Sequence, residues 1–297
     1  MKAVTILDGG MGRELERIGA PFSQPLWSAQ ALIESPQLVK QAHHAFIDAG
    51  SEIITVNSYA CVPFHLGDEG YAEQGAALAS KAAKLAREAV SESTHNVRVA
   101  GSLPPVFGSY RPELFQYERA KAITVELMQA QDENVDLWLA ETVASVAEAN
   151  MYLELFNTTR KPAYLCFTLQ DEIDQPALLR SGETVEEAVE QLLAAGGKGL
   201  FFNCSIPEVI AQAIEVVNSV TKRENKSLEI GVFANSFTPI KSGHQANEAI
   251  QTVRHFSPEE YLDFAKHWHE LGATIIGGCC GIEPRHIALL STWKQES

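Results

Sequence analysis

Short apolar, β-branched segments alternate with longer segments of helical spacing along almost the whole chain. The strand-like segments are Ala3–Leu7, Glu52–Val56, Val97–Ser102, Val135–Ala140, Ala163–Leu169, Gly199–Asn203, Leu228–Ala234 and Ala273–Gly277. The clearest helical segments are Pro36–Ala49, Tyr71–Ser93, Thr184–Ala195, Pro207–Val220 and Pro258–Leu271. Strands that are apolar throughout are typical of a parallel sheet covered on both faces. Eight strand-helix units therefore predict an α/β protein of the closed (β/α)8 TIM barrel type.

The length and the absence of a linker favour a single domain over residues 1–297. The 297 residues contain no Pro-, Gly- or Ser-rich linker, and one such barrel typically takes about 250 residues. An open, doubly wound sheet is the main alternative, and it normally carries a G-x-G-x-x-G fingerprint after its first strand. The segment Asp8–Gly12 lacks that spacing, so the barrel is favoured.

Composition argues against several functional classes. No stretch reaches the roughly 20 apolar residues of a membrane span, and the run before Asp8 is too short for a signal peptide, so we expect a cytoplasmic protein without a membrane partner. The net charge of -15 repels phosphate backbones and argues against nucleic-acid binding. Five cysteines in such a chain suit metal or catalytic thiols better than a disulfide framework.

Polar residues follow the predicted strands at their carboxyl ends. They are Asp8, Asn57, Ser58, Ser102, Glu141, Asn203, Cys204, Asn235, Ser236, Cys279 and Cys280. In a (β/α)8 barrel these ends all lie on one face, and that face carries the active site. We therefore expect these side chains to surround a common site.

Three of the cysteines fall at strand ends. Cys204 ends the sixth strand, and the pair Cys279 and Cys280 ends the eighth. The sixth and eighth strands of a barrel lie roughly 10 Å apart, which exceeds the reach of about 7 Å between the α-carbons of a disulfide. A shared metal can bridge such thiols, and the glycines that flank the pair permit the backbone turn that both thiols would need. A vicinal disulfide and plain core packing are the alternatives.

The remaining cysteines show no such pattern. Cys166 lies within the fifth strand and Cys61 in the loop after the second strand, and both are interpreted as packing residues. Three thiolates without an evident fourth protein ligand would leave one position of a tetrahedral zinc open. An open position is characteristic of a catalytic zinc site.

Several motifs together resemble the homocysteine S-methyltransferase family. They are Leu7–Gly12, Leu26–Ala29, Asn203–Ser205, Gly277–Gly281 and Pro284–Ile287. The separated Asn-Cys and Gly-Gly-Cys-Cys elements are the most specific, and the resemblance covers nearly the whole chain. The Leu-Trp-Ser-Ala segment is most similar to that of the S-methylmethionine-type members.

The resemblance implies a (β/α)8 barrel that binds Zn²⁺ through Cys204, Cys279 and Cys280. The thiol of homocysteine would take the fourth position. A free thiol with a pKa of about 8.5 is only a few per cent ionised near neutral pH, and coordination to Zn²⁺ deprotonates it. Because the thiolate is the nucleophile, no general base is then required.

The resemblance also implies how the amino-acid part of the substrate is bound. Asp8 and Glu141 would bind the ammonium group. The backbone amides of Gly9 and Gly10 would receive the carboxylate, since glycine lets a ligand approach the chain closely. For Asp8, a turn or capping role is the alternative that the residue by itself would favour.

The methyl donor is predicted less directly. Trp27 and Tyr59, and also Phe107 and Tyr110, are aromatic residues near the predicted mouth that could hold an onium methyl group by cation–π contact. Each could instead pack in the core or a loop. Ala60 stands where betaine-type members carry an aromatic residue, which argues against betaine.

The predicted activity is zinc-dependent methyl transfer from a sulfonium donor, S-methylmethionine or S-adenosylmethionine, to homocysteine, giving methionine. The alternatives are the same chemistry with betaine, another small donor or a corrinoid partner, a non-catalytic zinc- or thiol-binding barrel, and a metal-free barrel. Three departures from the family pattern bear on the donor: Arg13 and Val56, each in place of a more common Thr, and an altered loop at Gly101–Pro112. Family resemblance makes a homo-oligomer plausible.

Overall fold

The computed structural model of the chain describes residues 3–23, 25–173, 175–240 and 252–296. Its strands are β1 Thr5–Ile6, β2 Ile53–Thr55, β3 Arg98–Leu103, β4 Leu137–Val143, β5 Ala163–Phe167, β6 Gly199–Asn203, β7 Glu229–Ala234 and β8 Ile275–Gly278. They form one parallel sheet in the order β1-β8-β7-β6-β5-β4-β3-β2. A parallel bridge between Leu7 and Ile53 joins β1 to β2 and closes the ring. The predicted (β/α)8 barrel is therefore confirmed.

Helices connect the strands on the outside of the barrel. They are α1 Met11–Arg17, α2 Ser28–Glu34, α3 Pro36–Asp48, α4 Pro63–Glu92, α5 Tyr117–Gln131, α6 Val146–Phe156, α7 Val185–Ala194, α8 Pro207–Arg223, α9 Pro258–Glu270 and α10 Pro284–Glu296. Capping boxes begin α7 at Thr184 and α9 at Ser257, and each satisfies amide groups that the first helical turn leaves unpaired. No helix among the described residues is long and apolar enough to cross a membrane.

Helix α4 differs from its prediction at the amino end. The spacing predicted a helix from Tyr71, whereas the helix begins at Pro63 and is interrupted at Gly67, whose φ of 73° is left-handed. Glycine adopts that conformation without steric cost. The short turn before Gly67 carries His65 to the mouth of the barrel.

Apolar side chains pack in two layers, one inside the barrel and one between the sheet and the helices. The inner layer consists of Leu7, Ile53, Ala100, Leu137, Leu139, Tyr164, Cys166, Phe201, Phe233 and Ile275. Because the barrel is filled by these side chains, a ligand can enter only above them, at the end where the strands finish.

Candidate active site

One cavity opens at the face where the carboxyl ends of the strands meet. Its empty space, including the open mouth, is about 1170 Å³. It is lined by all of the residues predicted for substrate or metal and by three of the four aromatic residues predicted for the donor: Asp8, Gly9, Gly10, Glu141, Cys204, Cys279, Cys280, Trp27, Tyr59 and Tyr110. The structure therefore brings together groups that are up to 272 residues apart in the sequence, from Asp8 to Cys280.

Two of the thiols are in contact at the floor of the cavity. The Sγ atoms of Cys204 and Cys279 are 2.7 Å apart, and all five cysteines are free thiols. Strand spacing predicted that Cys204 would not form a disulfide with the pair; the three residues are free thiols, but the two sulfurs lie closer than that spacing suggested. Both residues lie just beyond their strands, where the chain no longer follows the strand spacing.

Local backbone turns bring the thiols together. Cys204 adopts a left-handed φ of 49°, and Gly281, with a φ of 84°, turns the chain directly after Cys280. The carbonyl of Cys280 accepts a hydrogen bond of 2.9 Å from the N–H of Ser236, in the loop after β7. The turn predicted from the glycines around the cysteine pair is thus present.

The three thiols interact with one another. Hydrogen bonds with Cys204 and Cys280, together with burial, raise the pKa of the Cys279 thiol well above its usual value. The hydrogen bond from Cys279 lowers the pKa of Cys280, and the guanidinium of Arg13 lowers it further. Cys61 and Cys166, in contrast, are buried away from this cavity, and burial raises the pKa of the Cys61 thiol to about 12.

The thiols have the chemistry of a zinc site, although their present spacing is not that of a metal-bound set. Among the described residues, no three His, Cys, Asp or Glu side chains are grouped in a way that could hold a metal ion. Two sulfurs on one tetrahedral Zn²⁺ lie about 3.8 Å apart, given Zn–S bonds of about 2.3 Å. The sulfurs of Cys204 and Cys279 are about 1 Å closer than that spacing, so the donor atoms fit Zn²⁺ by their chemistry and not by their distance.

Two buried carboxyl groups line the same cavity. Asp8 follows β1 and accepts hydrogen bonds from Thr55, at 2.6 Å from the backbone N–H and 3.0 Å from the hydroxyl. Glu141 lies in β4. Burial raises the pKa of each carboxyl group to about 7. Removal from water therefore destabilises the ionised form of each group, and a cation beside it would stabilise that form.

Gly9 and Gly10 are required by backbone packing. A Cβ atom at Gly9 would lie 2.4 Å from the carbonyl oxygen of Ile282, and one at Gly10 would lie 2.6 Å from that of Cys279. The Gly10 N–H already donates a hydrogen bond of 2.9 Å to Ile282. The carboxylate role of these amides stays a prediction, and it now rests on Gly9.

Aromatic rings form a third wall of the cavity. Trp27 makes edge contacts with Phe22 and His65, with ring centroids 5.6 and 6.1 Å apart, and Tyr59 lies 6.5 Å from His65. Burial lowers the pKa of His65 to about 4, so its ring is uncharged at neutral pH. Sequence reasoning missed Phe22 and His65, because their distance from Tyr59 depends on how two loops fold.

The Tyr59 hydroxyl group is held by neighbouring polar groups. It lies 2.6 Å from the Ser109 hydroxyl and donates at 3.1 Å to that of Thr142. Tyr110 also lines the cavity and donates at 3.3 Å to the carbonyl of Cys204. Phe107 lies elsewhere, beneath the guanidinium of Arg119, whose carbon is 5.2 Å from the ring centroid.

A buried ion pair supports the loops on the thiol side. Arg180 donates to Asp171 at 2.9 Å, and the carboxylate of Asp171 also accepts from the N–H groups of Ile206 and Ile240. The Arg180 guanidinium lies 4.7 Å from the centroid of the Tyr110 ring. No sequence motif indicated this pair, which we call the loop clamp.

Backbone strain is concentrated at the cavity. Among the described residues, Trp27, Tyr110, Thr142, Cys204 and Asn225 are the non-glycine residues with positive φ, at 48°, 65°, 58°, 49° and 50°. Three of them line the cavity, and Thr142 directly follows Glu141. Such conformations cost about 1 to 3 kcal/mol each and cluster at functional sites.

Known proteins resemble this chain over nearly its whole length. The homocysteine S-methyltransferase family matches residues 5–293. Homocysteine S-methyltransferase 1 of Arabidopsis thaliana is 30% identical, with 96% of this chain and 92% of the relative covered. Homocysteine S-methyltransferase of Escherichia coli is 29% identical, with coverage of 97% and 94%.

Among solved structures, the homocysteine methyltransferase MmuM of Escherichia coli in its metallated form has a TM-score of 0.79 to this chain. The two are 27% identical, and 98% of this chain and 96% of that chain are covered. Another relative, a selenocysteine methyltransferase from Astragalus bisulcatus, is 27% identical over 94% of this chain and 89% of its own length.

Proposed function

This chain belongs to the homocysteine S-methyltransferase family, and from that premise we propose that it is a zinc-dependent enzyme that methylates homocysteine with a sulfonium donor, S-methylmethionine or S-adenosylmethionine. The observation that carries the proposal is that three thiols, two carboxyl groups and an aromatic wall all line one cavity. Each group matches one part of the two substrates.

Cys204, Cys279 and Cys280 would hold the metal. A donor set of three sulfurs suits Zn²⁺, and the cavity in front of the thiols leaves room for a fourth ligand. When bound, Zn²⁺ ionises a coordinated thiol and thereby supplies a thiolate nucleophile at neutral pH.

Asp8 and Glu141 would bind the ammonium group of homocysteine. In the free protein each carboxyl group is partly protonated near pH 7, because burial raises its pKa to about 7. An ammonium group replaces the lost hydration with charge-assisted hydrogen bonds and stabilises the ionised forms. The amino end of the substrate is then fixed while its sulfur points towards the thiols.

Trp27 and Tyr59 would hold the sulfonium group of the donor. A cation over an aromatic face gains about 1 to 2 kcal/mol when it is desolvated. The neutral state of His65 leaves this wall without a charge that would repel a cation.

In the reaction, the thiolate of homocysteine attacks the methyl carbon in line with its bond to the donor sulfur. The new carbon–sulfur bond forms as the old one breaks, and its electron pair stays on the donor sulfur, which becomes a neutral thioether. The thiol proton has already left to solvent. The protein contributes by fixing both sulfurs on one axis in a site that excludes water.

Zinc content and methionine formation test the proposal. We expect purified wild-type protein to contain about one zinc per chain and to form methionine from homocysteine and S-methylmethionine. Cys279→Ala should lose both, whereas the matched control Cys166→Ala, which alters a thiol outside the cavity, should keep both. Equal zinc in the two variants would refute the metal assignment.

The donor panel separates the remaining alternatives. It contains S-methylmethionine, S-adenosylmethionine, betaine and a methylated corrinoid protein. Turnover with betaine or the corrinoid protein alone would replace the sulfonium proposal. Bound zinc without turnover of any donor would favour a non-catalytic thiol-binding barrel.

A further inference from the structure

Strand β4 contains one extra residue at the point where it reaches the cavity. Its register with β5 shifts between Ala140 and Val143, where β4 has one residue more than β5 provides. The two residues within the shift are Glu141, which lines the cavity, and Thr142. A β-bulge of this kind breaks the alternation of side chains along a strand and is common beside active sites.

Glu141 is the last residue of β4 that follows the inward alternation. Leu137 and Leu139 belong to the inner layer of the barrel, and Glu141 continues that series into the cavity. Val143 would also point inwards in a regular strand, but it packs in the outer layer. The alternation therefore ends directly after Glu141, and the conformation of Thr142 sets the path of the chain at that point.

Thr142 adopts a conformation that this residue type does not favour. Its φ of 58° is left-handed, and a β-branched residue seldom adopts such a φ because its Cβ atom comes too close to the following carbonyl oxygen. A return of Thr142 to the extended region would rotate the peptide group that joins it to Glu141. The direction of the Glu141 side chain therefore depends on contacts that hold Thr142.

Asn203 supplies such contacts. It ends β6 and is fully buried. Its Oδ1 accepts a hydrogen bond of 3.0 Å from the N–H of Thr142, and its Nδ2 donates at 3.2 Å to the Thr142 hydroxyl. Strand β5 lies between β4 and β6, so this contact links two strands that do not pair with each other. The N–H group belongs to the peptide bond between Glu141 and Thr142, which Asn203 thus holds directly.

We propose that Asn203 is a positioning residue for Glu141: by fixing the peptide group that follows Glu141, it directs the carboxyl group towards the ammonium group of homocysteine. The inference rests on the proposed function, which assigns that ammonium group to Glu141. It gives a role to the asparagine that directly precedes Cys204. The alternative role, shaping the turn at Cys204, would make zinc binding depend on Asn203.

A double-variant cycle tests this role. Asn203→Ala should raise the KM for homocysteine by about ten- to a hundredfold, since it misdirects one charge-assisted hydrogen bond, and zinc content should stay the same. Added to Glu141→Ala, it should raise that KM no further, because the group that it positions is already absent. An additive rise, or loss of zinc in Asn203→Ala, would overturn the proposal.

Thr142→Gly provides a second test, because glycine adopts a left-handed φ without steric cost. In the Thr142→Gly background, Asn203→Ala should raise the KM for homocysteine by about tenfold less than it does in the wild type. Equal losses in the two backgrounds would refute the proposal. If Asn203→Ala alone does not fold, the double variant is compared with Thr142→Gly, and a rise in KM of more than about tenfold is the refuting result.

Ser205→Ala is the matched control. Ser205 is as buried as Asn203, and its hydroxyl accepts from the N–H of Leu169 at 2.8 Å and donates to the carbonyl of Asn203 at 3.0 Å. The variant removes two hydrogen bonds from the same turn but keeps the Asn203 side chain, so the KM for homocysteine should not change. A rise equal to that of Asn203→Ala would show that any disturbance of this turn is sufficient, and it would contradict the assignment.

Crystal structures of the variants keep the inference separate from the proposed function. In Asn203→Ala without substrate, Thr142 should leave the left-handed region and the Glu141 carboxyl group should change its direction. An unchanged bulge would refute the inference, whatever the protein catalyses. Absence of methionine formation by the wild type would count against the proposed function alone.

Discussion

The two sides of the cavity are built differently. On the acidic side, Asp8 is fixed by two hydrogen bonds from Thr55, and its backbone N–H joins β1 to β2. On the thiol side, Cys204 and Cys279 touch each other at 2.7 Å, nearer than two ligands of one zinc would stand. The Asp8 carboxyl group is thus fixed by polar partners within the protein, whereas the two sulfurs contact each other.

The two pairs of groups are held by different contacts. Asp8 lies two residues beyond β1 and is fixed by the hydrogen bonds from Thr55, and Glu141 lies within β4. Cys204 and Cys279 directly follow β6 and β8, and the loop clamp fixes Ile206, two residues after Cys204. We expect substitutions on the acidic side to change substrate affinity and substitutions on the thiol side to change metal retention.

The largest expected effect comes from breaking the loop clamp. Arg180→Met leaves Asp171 buried, at 1% side-chain exposure, without its partner, and should lower the free energy of unfolding by about 3 to 5 kcal/mol. Zinc should also be lost at lower chelator concentration, because Asp171 holds the loop of Ile206 next to Cys204. Urea unfolding and zinc titration measure the two effects.

An exposed ion pair provides the control for the loop clamp. Lys121→Met removes the pair with Glu154, whose side chains are 32% and 51% exposed, and should leave the free energy of unfolding nearly unchanged, because water screens an exposed pair. If Arg180→Met were as mild as this variant, or if it weakened homocysteine binding while sparing zinc, the division between the two sides would fail.

The second-largest expected effect is on homocysteine binding by the acidic side of the cavity. Glu141→Gln should raise the KM for homocysteine by about ten- to a hundredfold, since it removes one charge-assisted hydrogen bond to the ammonium group. Zinc content should not change. Glu148→Gln is the matched control: Glu148 is also buried with its pKa raised to about 7, but it lies outside the cavity. Loss of zinc in Glu141→Gln would contradict the separation of roles.

The smallest effect is a pH dependence of binding. At pH 6 Asp8 and Glu141 are mostly protonated and pair poorly with an ammonium group, so affinity should increase as the pH rises from 6 to 8, by at most about tenfold over that whole range for each group. Methionine is the suitable probe, because its sulfur does not ionise. A flat profile in wild-type protein, or one that Glu141→Gln leaves unchanged, would disagree with this assignment.

Much of the barrel could be predicted from periodicity. Strand β6 was predicted with its observed bounds, Gly199–Asn203, because its apolar run is bordered by glycine and a polar residue. Strand β1 was predicted as Ala3–Leu7 and is only Thr5–Ile6, since the pairing with β8 and not the apolar character sets its ends. The start of α4 was missed because Gly67 allows a helical turn before it.

The site was predictable where position at a strand end and family resemblance pointed to the same residues. Asp8, Glu141 and the three cysteines were found in this way, and all line the cavity. The loop clamp was not found, because Asp171 and Arg180 are ordinary charged residues in sequence and acquire their role through burial. The assignment of Phe107 to the mouth failed for the same reason, since loop geometry places it beneath Arg119.

The sequence by itself determined the barrel, the face that carries the site and the set of groups that meet there. Alternating periodicity specifies eight strand-helix units, and parallel strands in a barrel necessarily end on one face. Only the tertiary structure decided the distances: the contact between Cys204 and Cys279, the engaged amide of Gly10 and the hydrogen bonds from Thr55 to Asp8. Those distances depend on turns and burial, which arise from contacts between residues far apart in the chain.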